Sequence, residues 1–80
     1  MTHPNVSRIE ELLRGAFPDA TQLEVIDRTG YGDHFQVIVT SGRFDGQPLV
    51  QQHRLVNEAL AALLADGTIH ELRIKTRGQA

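Results

Sequence analysis

The sequence predicts a small α+β domain in which two helices pack on one face of a three-stranded mixed sheet, in the order α–β–β–α–β. Two segments place apolar residues at steps of three and four, which is helical spacing. Three shorter segments alternate apolar and polar residues, as half-buried strands do. The second helical segment separates the last two strands and is long enough to return the third strand parallel to the second.

Composition limits the classes of protein to which the chain can belong. Its 80 residues predict one domain over 1–80, with flexible ends at 1–4 and 77–80. No Cys is present, which excludes disulfides and Cys-based zinc sites. A net charge of −2 argues against a surface that coats polyanions. Neither a signal-peptide pattern nor a run of about 20 apolar residues is found, so we expect a cytoplasmic protein that does not enter a membrane.

The first half of the chain predicts one helix and a hairpin. The helix covers 5–17 and ends before Pro18, because the residue before a proline disfavours the helical region. A first strand is predicted over 23–27 and a glycine-containing turn over 28–33. The second strand, 34–40, is the clearest because it is rich in β-branched and aromatic residues.

The second half predicts a long helix and a last strand. The helix covers 48–65, and Gly67 is expected to cap its end in the left-handed conformation. The last strand covers 68–76. The apolar stripe of this second helix is predicted to contain Leu49, Val56, Leu60 and Leu63.

Strand alternation predicts where two histidines point. If Phe35 faces the helices, His34 points to the open face of the sheet. His70 then goes inward with Leu72 and Ile74, unless the start of the last strand is twisted or bulged. This geometry argues against a site shared by the two histidines.

Four motifs, in this order and spacing, resemble the BolA family. They are HF at 34–35, FDG at 44–46, HRLVN at 53–57 and IH at 69–70. The resemblance covers nearly the whole chain, from the first helix to the last strand. It implies a class II KH-like fold with the element order predicted above.

The resemblance also implies a function. BolA-like proteins bind a monothiol glutaredoxin, so we expect a non-enzymatic adaptor in iron–sulfur cluster trafficking or iron homeostasis. Many such complexes share a [2Fe–2S] cluster, to which the glutaredoxin contributes a Cys and a bound glutathione. A cluster is therefore expected only in the complex and not in the isolated chain, which we expect to be a monomer or a weak dimer.

His70 matches the C-terminal histidine ligand of the family, and a neutral imidazole is a good iron ligand. Without the resemblance, the position of His70 favours a half-buried histidine at a strand end, with one ring nitrogen bonded to the backbone. The second family ligand lies in the loop between the first two strands, but here 30–33 contains neither His nor Cys. His34 is the nearest candidate. Three arrangements stay open: His70 alone, His34 with His70, or a heterodimer without a cluster.

The partner-binding candidates are His53, Arg54 and Asn57, which belong to the third motif. Periodicity alone places His53 on the apolar stripe of the second helix and favours a structural role.

The alternative function is a DNA-binding transcriptional regulator, an activity with which the family is also linked. Arg73, Lys75 and Arg77 share one strand parity and would form a basic ridge on the open face of the sheet. No Gly-x-x-Gly loop joins two helices, as it would in a KH domain that binds nucleic acid. No enzyme is expected, because Asp33 beside His34 is interpreted as a turn residue and not as an acid–base dyad.

Overall fold

A computed structural model describes residues 3–80 and keeps the predicted order of elements, with the second helix divided in two. The elements are α1 Pro4–Ala16, β1 Gln22–Asp27, β2 His34–Thr40, a 3-10 turn Gly42–Phe44, α2 Leu49–Ala59, α3 Ala61–Ala65 and β3 Glu71–Arg77. No helix within 3–80 is long and apolar enough to cross a membrane. Residues 1 and 2 of the predicted arm lie outside the described range, and flexibility at the two ends stays a prediction.

The sheet has three strands in the order β1-β2-β3. Strand β1 pairs antiparallel with β2, and β3 pairs parallel with β2, so the predicted mixed sheet is confirmed. The register places His34 opposite Glu71 and Val37 opposite Ile74. Both β2 and β3 therefore begin at the same end of the sheet.

One face of the sheet is covered and the other is open. The inward residues Phe35, Val37 and Val39 of the central strand are fully buried. Apolar side chains of the helices pack on them in a single cluster: Val6, Ile9, Leu13, Val56, Leu60 and Leu63. Each buried side chain of this size contributes about 1.5–3 kcal/mol relative to exposure. The prediction of helices on one face is thus confirmed, and the order of elements also fits the KH-like description.

The second helix differs from its prediction at both ends of its apolar stripe. Pro48 occupies the N-cap position of α2 and is not in its first turn. At the other end the helix breaks at Leu60, where φ is −106° and ψ is 12°. Leu60 and Leu63, on either side of the break, are both buried in the core. No Gly or Pro lies between 49 and 65 to predict a break there. Leu49 is 60% exposed, contrary to prediction. Gln52 faces β3 in its place, because its Oε1 accepts a hydrogen bond of 2.5 Å from the Thr76 hydroxyl.

Candidate functional site

Three potential metal ligands meet at one end of the sheet: Asp33, His34 and His70. Each offers one ligand atom, and these atoms all lie within 4.8 Å of one another. The ring centroids of His34 and His70 are 6.5 Å apart. Asp33 and His34 are half-buried, whereas His70 is exposed. Parallel pairing of β2 and β3 joins the two histidines, which are distant in the sequence.

The outward position of His70 corrects the prediction that its side chain goes inward with Leu72 and Ile74. The carbonyl oxygen of Asp33 accepts hydrogen bonds from two successive peptide N–H groups, at 2.8 Å from His70 and 3.4 Å from Glu71. Two donors on one acceptor distort the start of a strand as a β-bulge does, so alternation stops at Glu71. Ile69 takes the inward place and is 3% exposed. The sequence-based prediction made one exception, an irregular start of the last strand, and with that irregularity His34 and His70 can share a site.

The loop between β1 and β2 is closed by the carboxylate of Asp27. This side chain accepts hydrogen bonds from the peptide N–H groups of Thr29 at 3.3 Å, Gly30 at 2.9 Å and Gly32 at 3.0 Å. Asp side chains commonly stabilise turns in this way. Both glycines have positive φ, 81° and 73°, which other residues adopt at a cost. The hydrogen-bonded loop thereby fixes the position of Asp33 immediately before β2.

The carboxylate of Asp33 is held in its charged form. The Thr29 hydroxyl donates a hydrogen bond of 2.7 Å to Asp33 Oδ1 and is the main cause of a pKa below the ordinary value of 3.8. Partial burial opposes this shift of the pKa, and positive charge on His34 adds to it. The bond to Thr29 uses Oδ1 of Asp33, and the second oxygen of a carboxylate can act as a ligand.

The N-terminus of α1 supports the same loop from its other side. The side-chain amide of Asn5 donates a hydrogen bond of 2.8 Å to the carbonyl oxygen of Gly32. His3 caps α1, because its Nδ1 accepts a hydrogen bond of 3.1 Å from the peptide N–H of Asn5. The ring of His3 fills the space that a Cβ at Gly32 would occupy. Sequence reasoning missed this role, because it placed His3 in a flexible arm.

Glu71 lies beside the site, opposite His34 in the register, but ion pairs hold its carboxylate. Its Oε1 is 2.7 Å from Nη1 of Arg28 and 3.4 Å from Nε of Arg73. The carboxylate that groups with the two imidazoles is that of Asp33. Its place in the cluster was missed from the sequence, where the adjacent Asp33 and His34 were the available signal.

The predicted partner-binding residues His53, Arg54 and Asn57 lie together on α2. They line a shallow groove whose other walls are Val50, Glu58 and Ala61. Val50 is 71% exposed, so the lining of the groove includes apolar surface. His53 is half-buried on this groove and is not part of the fully buried core. The groove and the histidine pair have no residue in common.

The predicted basic residues Arg73, Lys75 and Arg77 are all exposed on β3. They lie opposite Gln36, Ile38 and Thr40 of β2, whose side chains share the open face. The basic residues thus follow one another along the edge of this face, as their parity predicts. Arg73 contacts the carboxylate of Glu71, with 3.4 Å between Arg73 Nε and Glu71 Oε1.

The donor set fits a cluster iron that takes two imidazole ligands. A tetrahedral ion with metal–nitrogen bonds of about 2.0–2.1 Å holds its ligand atoms about 3.3–3.4 Å apart. The ligand atoms of His34 and His70 lie within 4.8 Å of one another, and binding of an iron would require the exposed His70 side chain to adjust to that spacing. Imidazole is a known ligand of [2Fe–2S] iron.

Fold and site together define a small α+β domain that presents two histidines and a carboxylate where two parallel strands begin. A family model described as BolA-like protein matches residues 13–80. The DNA-binding transcriptional regulator BolA of Escherichia coli (strain K12) is 38% identical over 76 residues, covering 86% of this chain and 70% of that protein. The chain belongs to the BolA-like family, and this resemblance is confirmed.

Solved structures of the family have the same fold. The BolA domain of SufE1 from Arabidopsis thaliana superposes with a TM-score of 0.88 at 29% identity, covering 99% of this chain and 96% of that one. BolA1 from Arabidopsis thaliana superposes with a TM-score of 0.86 at 29% identity, covering 98% and 95%. Nearly the whole of each of these chains is therefore matched.

Proposed function

We propose that this chain is a BolA-like adaptor that binds a monothiol glutaredoxin and shares a [2Fe–2S] cluster with it, in iron–sulfur cluster trafficking or iron homeostasis. The observation that carries the proposal is the pairing of His34 with the exposed His70. In this proposal the chain is a binding partner and not a catalyst, and it acts in the cytoplasm.

Exposure of the pair supports a site completed by a second protein. His70 is exposed and His34 half-buried, so a partner can approach both rings from solvent. In the proposed complex the two histidines hold one iron, and the Cys and glutathione of the glutaredoxin complete the cluster. To bind iron, the two imidazoles would ligate in their neutral form. Thiolate ligands come from the partner, because this chain has no Cys.

The groove on α2 supplies the proposed contact surface. Its combination of exposed apolar Val50 with His53, Arg54 and Asn57 is typical of a protein–protein contact with an apolar centre and a polar rim. We assign these three polar residues to partner binding and not to cluster ligation, because the metal-ligand cluster contains none of them.

Spectroscopy of the mixed proteins tests the proposal. Addition of this chain to cluster-loaded monothiol glutaredoxin under anaerobic conditions is expected to change the visible absorption and circular dichroism of the cluster. His70→Ala and His34→Ala are expected to alter that spectrum while the complex still forms. His53→Ala is expected to weaken complex formation and leave the spectrum of the remaining complex unchanged. An unchanged cluster spectrum with both histidine variants would remove the histidine pair from the proposal.

A second candidate function is DNA binding, favoured by the aligned Arg73, Lys75 and Arg77 on the open face. The Escherichia coli relative is named a DNA-binding transcriptional regulator. If the ridge contacts phosphates, affinity for duplex DNA falls with salt, at a logarithmic slope of about −0.9 for each phosphate neutralised.

Fluorescence anisotropy with duplex DNA at several salt concentrations tests this second function. Arg73→Gln, Lys75→Gln and Arg77→Gln are each expected to reduce the salt slope by about 1. Arg14→Gln is the matched control, because Arg14 is an exposed arginine on α1, away from the open face of the sheet. No binding at low salt, or equal losses in Arg14→Gln and the ridge variants, would reject it.

A further inference from the structure

We infer that the isolated chain binds one divalent cation of the zinc class at Asp33, His34 and His70, without any partner protein. Both strands that form the site belong to this chain, and their parallel pairing brings the three ligand atoms within 4.8 Å of one another. The inference uses the same histidines as the proposed cluster but needs neither glutaredoxin nor sulfide.

The donor types select the ion. Two imidazoles and one carboxylate form a three-residue donor set of the kind that binds zinc with one position left for water. Imidazole suits Zn²⁺, Cu²⁺, Ni²⁺ and Fe²⁺, whereas Mg²⁺ and Ca²⁺ prefer sets made only of oxygen ligands. The single carboxylate offsets part of the double charge of the ion. A mononuclear site of this composition therefore discriminates against the abundant hard cations.

The ligands are supported by their surroundings. The Thr29 hydroxyl bonds Asp33 Oδ1 at 2.7 Å, which orients the carboxylate as outer partners of metal ligands do. The His70 N–H bonds the Asp33 carbonyl at 2.8 Å, so two of the three ligand residues are tied to each other through the backbone. These bonds use one carboxylate oxygen and main-chain groups, and they leave the imidazole nitrogens available.

Competition from the neighbouring acid is limited. Glu71 stands opposite His34, but its carboxylate is engaged by Arg28 at 2.7 Å and by Arg73 at 3.4 Å. Using Glu71 as the ligand would require these contacts to break. Within residues 3–80 the carboxylate of Asp33 makes no ion pair. We assign it as the third ligand because its ligand atom lies within 4.8 Å of those of both histidines.

Titration of the isolated chain with Zn²⁺, followed by calorimetry, tests the inference. We expect one ion per chain, and we expect Co²⁺ at the same site to give the visible absorption of a tetrahedral complex. His34→Ala and His70→Ala are each expected to weaken Zn²⁺ binding by more than about 100-fold, since loss of an outer partner alone costs about 10–100-fold. Thr29→Val, which removes only an outer partner, is expected to fall within that lower range.

Two comparisons separate this site from adventitious binding. Asp33→Asn should weaken binding, whereas Glu11→Gln, which removes an exposed acid on α1, should not. His3 and His53 are present in every variant, so binding to surface imidazoles would survive in all of them. Far-UV circular dichroism of each variant shows whether it is folded, and chemical shift changes in wild-type protein locate the ion if a variant unfolds.

The outcomes also distinguish this inference from the proposed function. Absence of Zn²⁺ binding in wild-type protein, or equal affinity in His70→Ala, overturns the inference and leaves the glutaredoxin complex untouched. Binding of Zn²⁺ by a chain that forms no complex with glutaredoxin overturns the proposed function and leaves the cation site in place.

Discussion

The peptide N–H of His70 donates a hydrogen bond of 2.8 Å to the carbonyl oxygen of Asp33, and the N–H of Glu71 bonds the same oxygen at 3.4 Å. This double contact turns the His70 side chain outward at the point where β3 begins. Without it, regular alternation would place His70 in the core beside Leu72. The candidate site therefore depends on one irregularity of the backbone.

Ile69 anchors that irregularity from the core side, and its truncation is expected to be costly. It is 3% exposed, so Ile69→Ala should lower the free energy of unfolding by about 2–5 kcal/mol and Ile69→Val by about 0.5–1.5 kcal/mol. Urea unfolding measures both values. Ile26→Ala is the matched control, because Ile26 is 42% exposed. Comparable losses at the two positions would show that Ile69 is not packed as described.

Gly32 is expected to tolerate no side chain, for two separable reasons. Its φ of 73° costs an alanine about 1–2 kcal/mol, and the added Cβ would also collide with the ring of His3. Gly30 has a φ of 81° with open space around it, so Gly30→Ala measures the backbone cost alone. We expect Gly32→Ala to be the more destabilising in urea unfolding, and His3→Ala to relieve part of the difference. Equal losses at the two glycines would contradict the packing of His3 on this loop.

The small side chain of Ser41 is expected to make a large contribution to the free energy of unfolding. It is fully buried, its hydroxyl donates to Asp19 Oδ1 at 2.7 Å, and it accepts from the peptide N–H of Arg43 at 3.2 Å. Ser41→Ala should lower the free energy of unfolding by about 1–3 kcal/mol, because a polar group loses its partner. Ser7→Ala, on the exposed side of α1, should change the free energy by less than about 0.5 kcal/mol. A neutral Ser41→Ala would show that the hydroxyl is dispensable.

Acid is expected to weaken the same contact. The Ser41 hydroxyl first, and then the Gly42 N–H, hold the pKa of Asp19 below its ordinary value of 3.8. The folded state thus binds this proton less readily than the unfolded state does. The contribution of ionised Asp19 to the free energy of unfolding is complete above the unfolded pKa of 3.8 and is lost as pH falls through the lower folded pKa. Thermal unfolding of wild-type protein and Asp19→Asn across this range should show a shallower loss in the variant. Identical pH profiles would contradict the assignment.

Much of the fold is predictable because its signals are local. The β-branched and aromatic run at His34–Thr40 forms the strand that its alternation predicts, and Gly67 has the predicted positive φ of 82° at the helix end. The break at Leu60 is not predictable in this way, since core packing produces it without a Gly or Pro.

The candidate site is only half predictable for a related reason. His70 and His34 are identified from a motif and from strand order, but their proximity depends on the two hydrogen bonds to the Asp33 carbonyl before β3 begins, which no residue type predicts. Asp33 enters through the fold of the loop, which Asp27 closes by three hydrogen bonds to main-chain groups. Backbone geometry of this kind is a product of tertiary structure and not of local sequence preference.

Parallel pairing of β2 with β3 also orders events during synthesis of the chain. The hairpin that carries Asp33 and His34 can form from neighbouring residues, whereas His70 arrives only after α2 and α3 have been made and have crossed over the sheet. Pairings of such large sequence separation form slowly, because loop-closure entropy opposes them. The histidine pair is therefore complete only when β3, the last strand in the sequence, has docked beside β2.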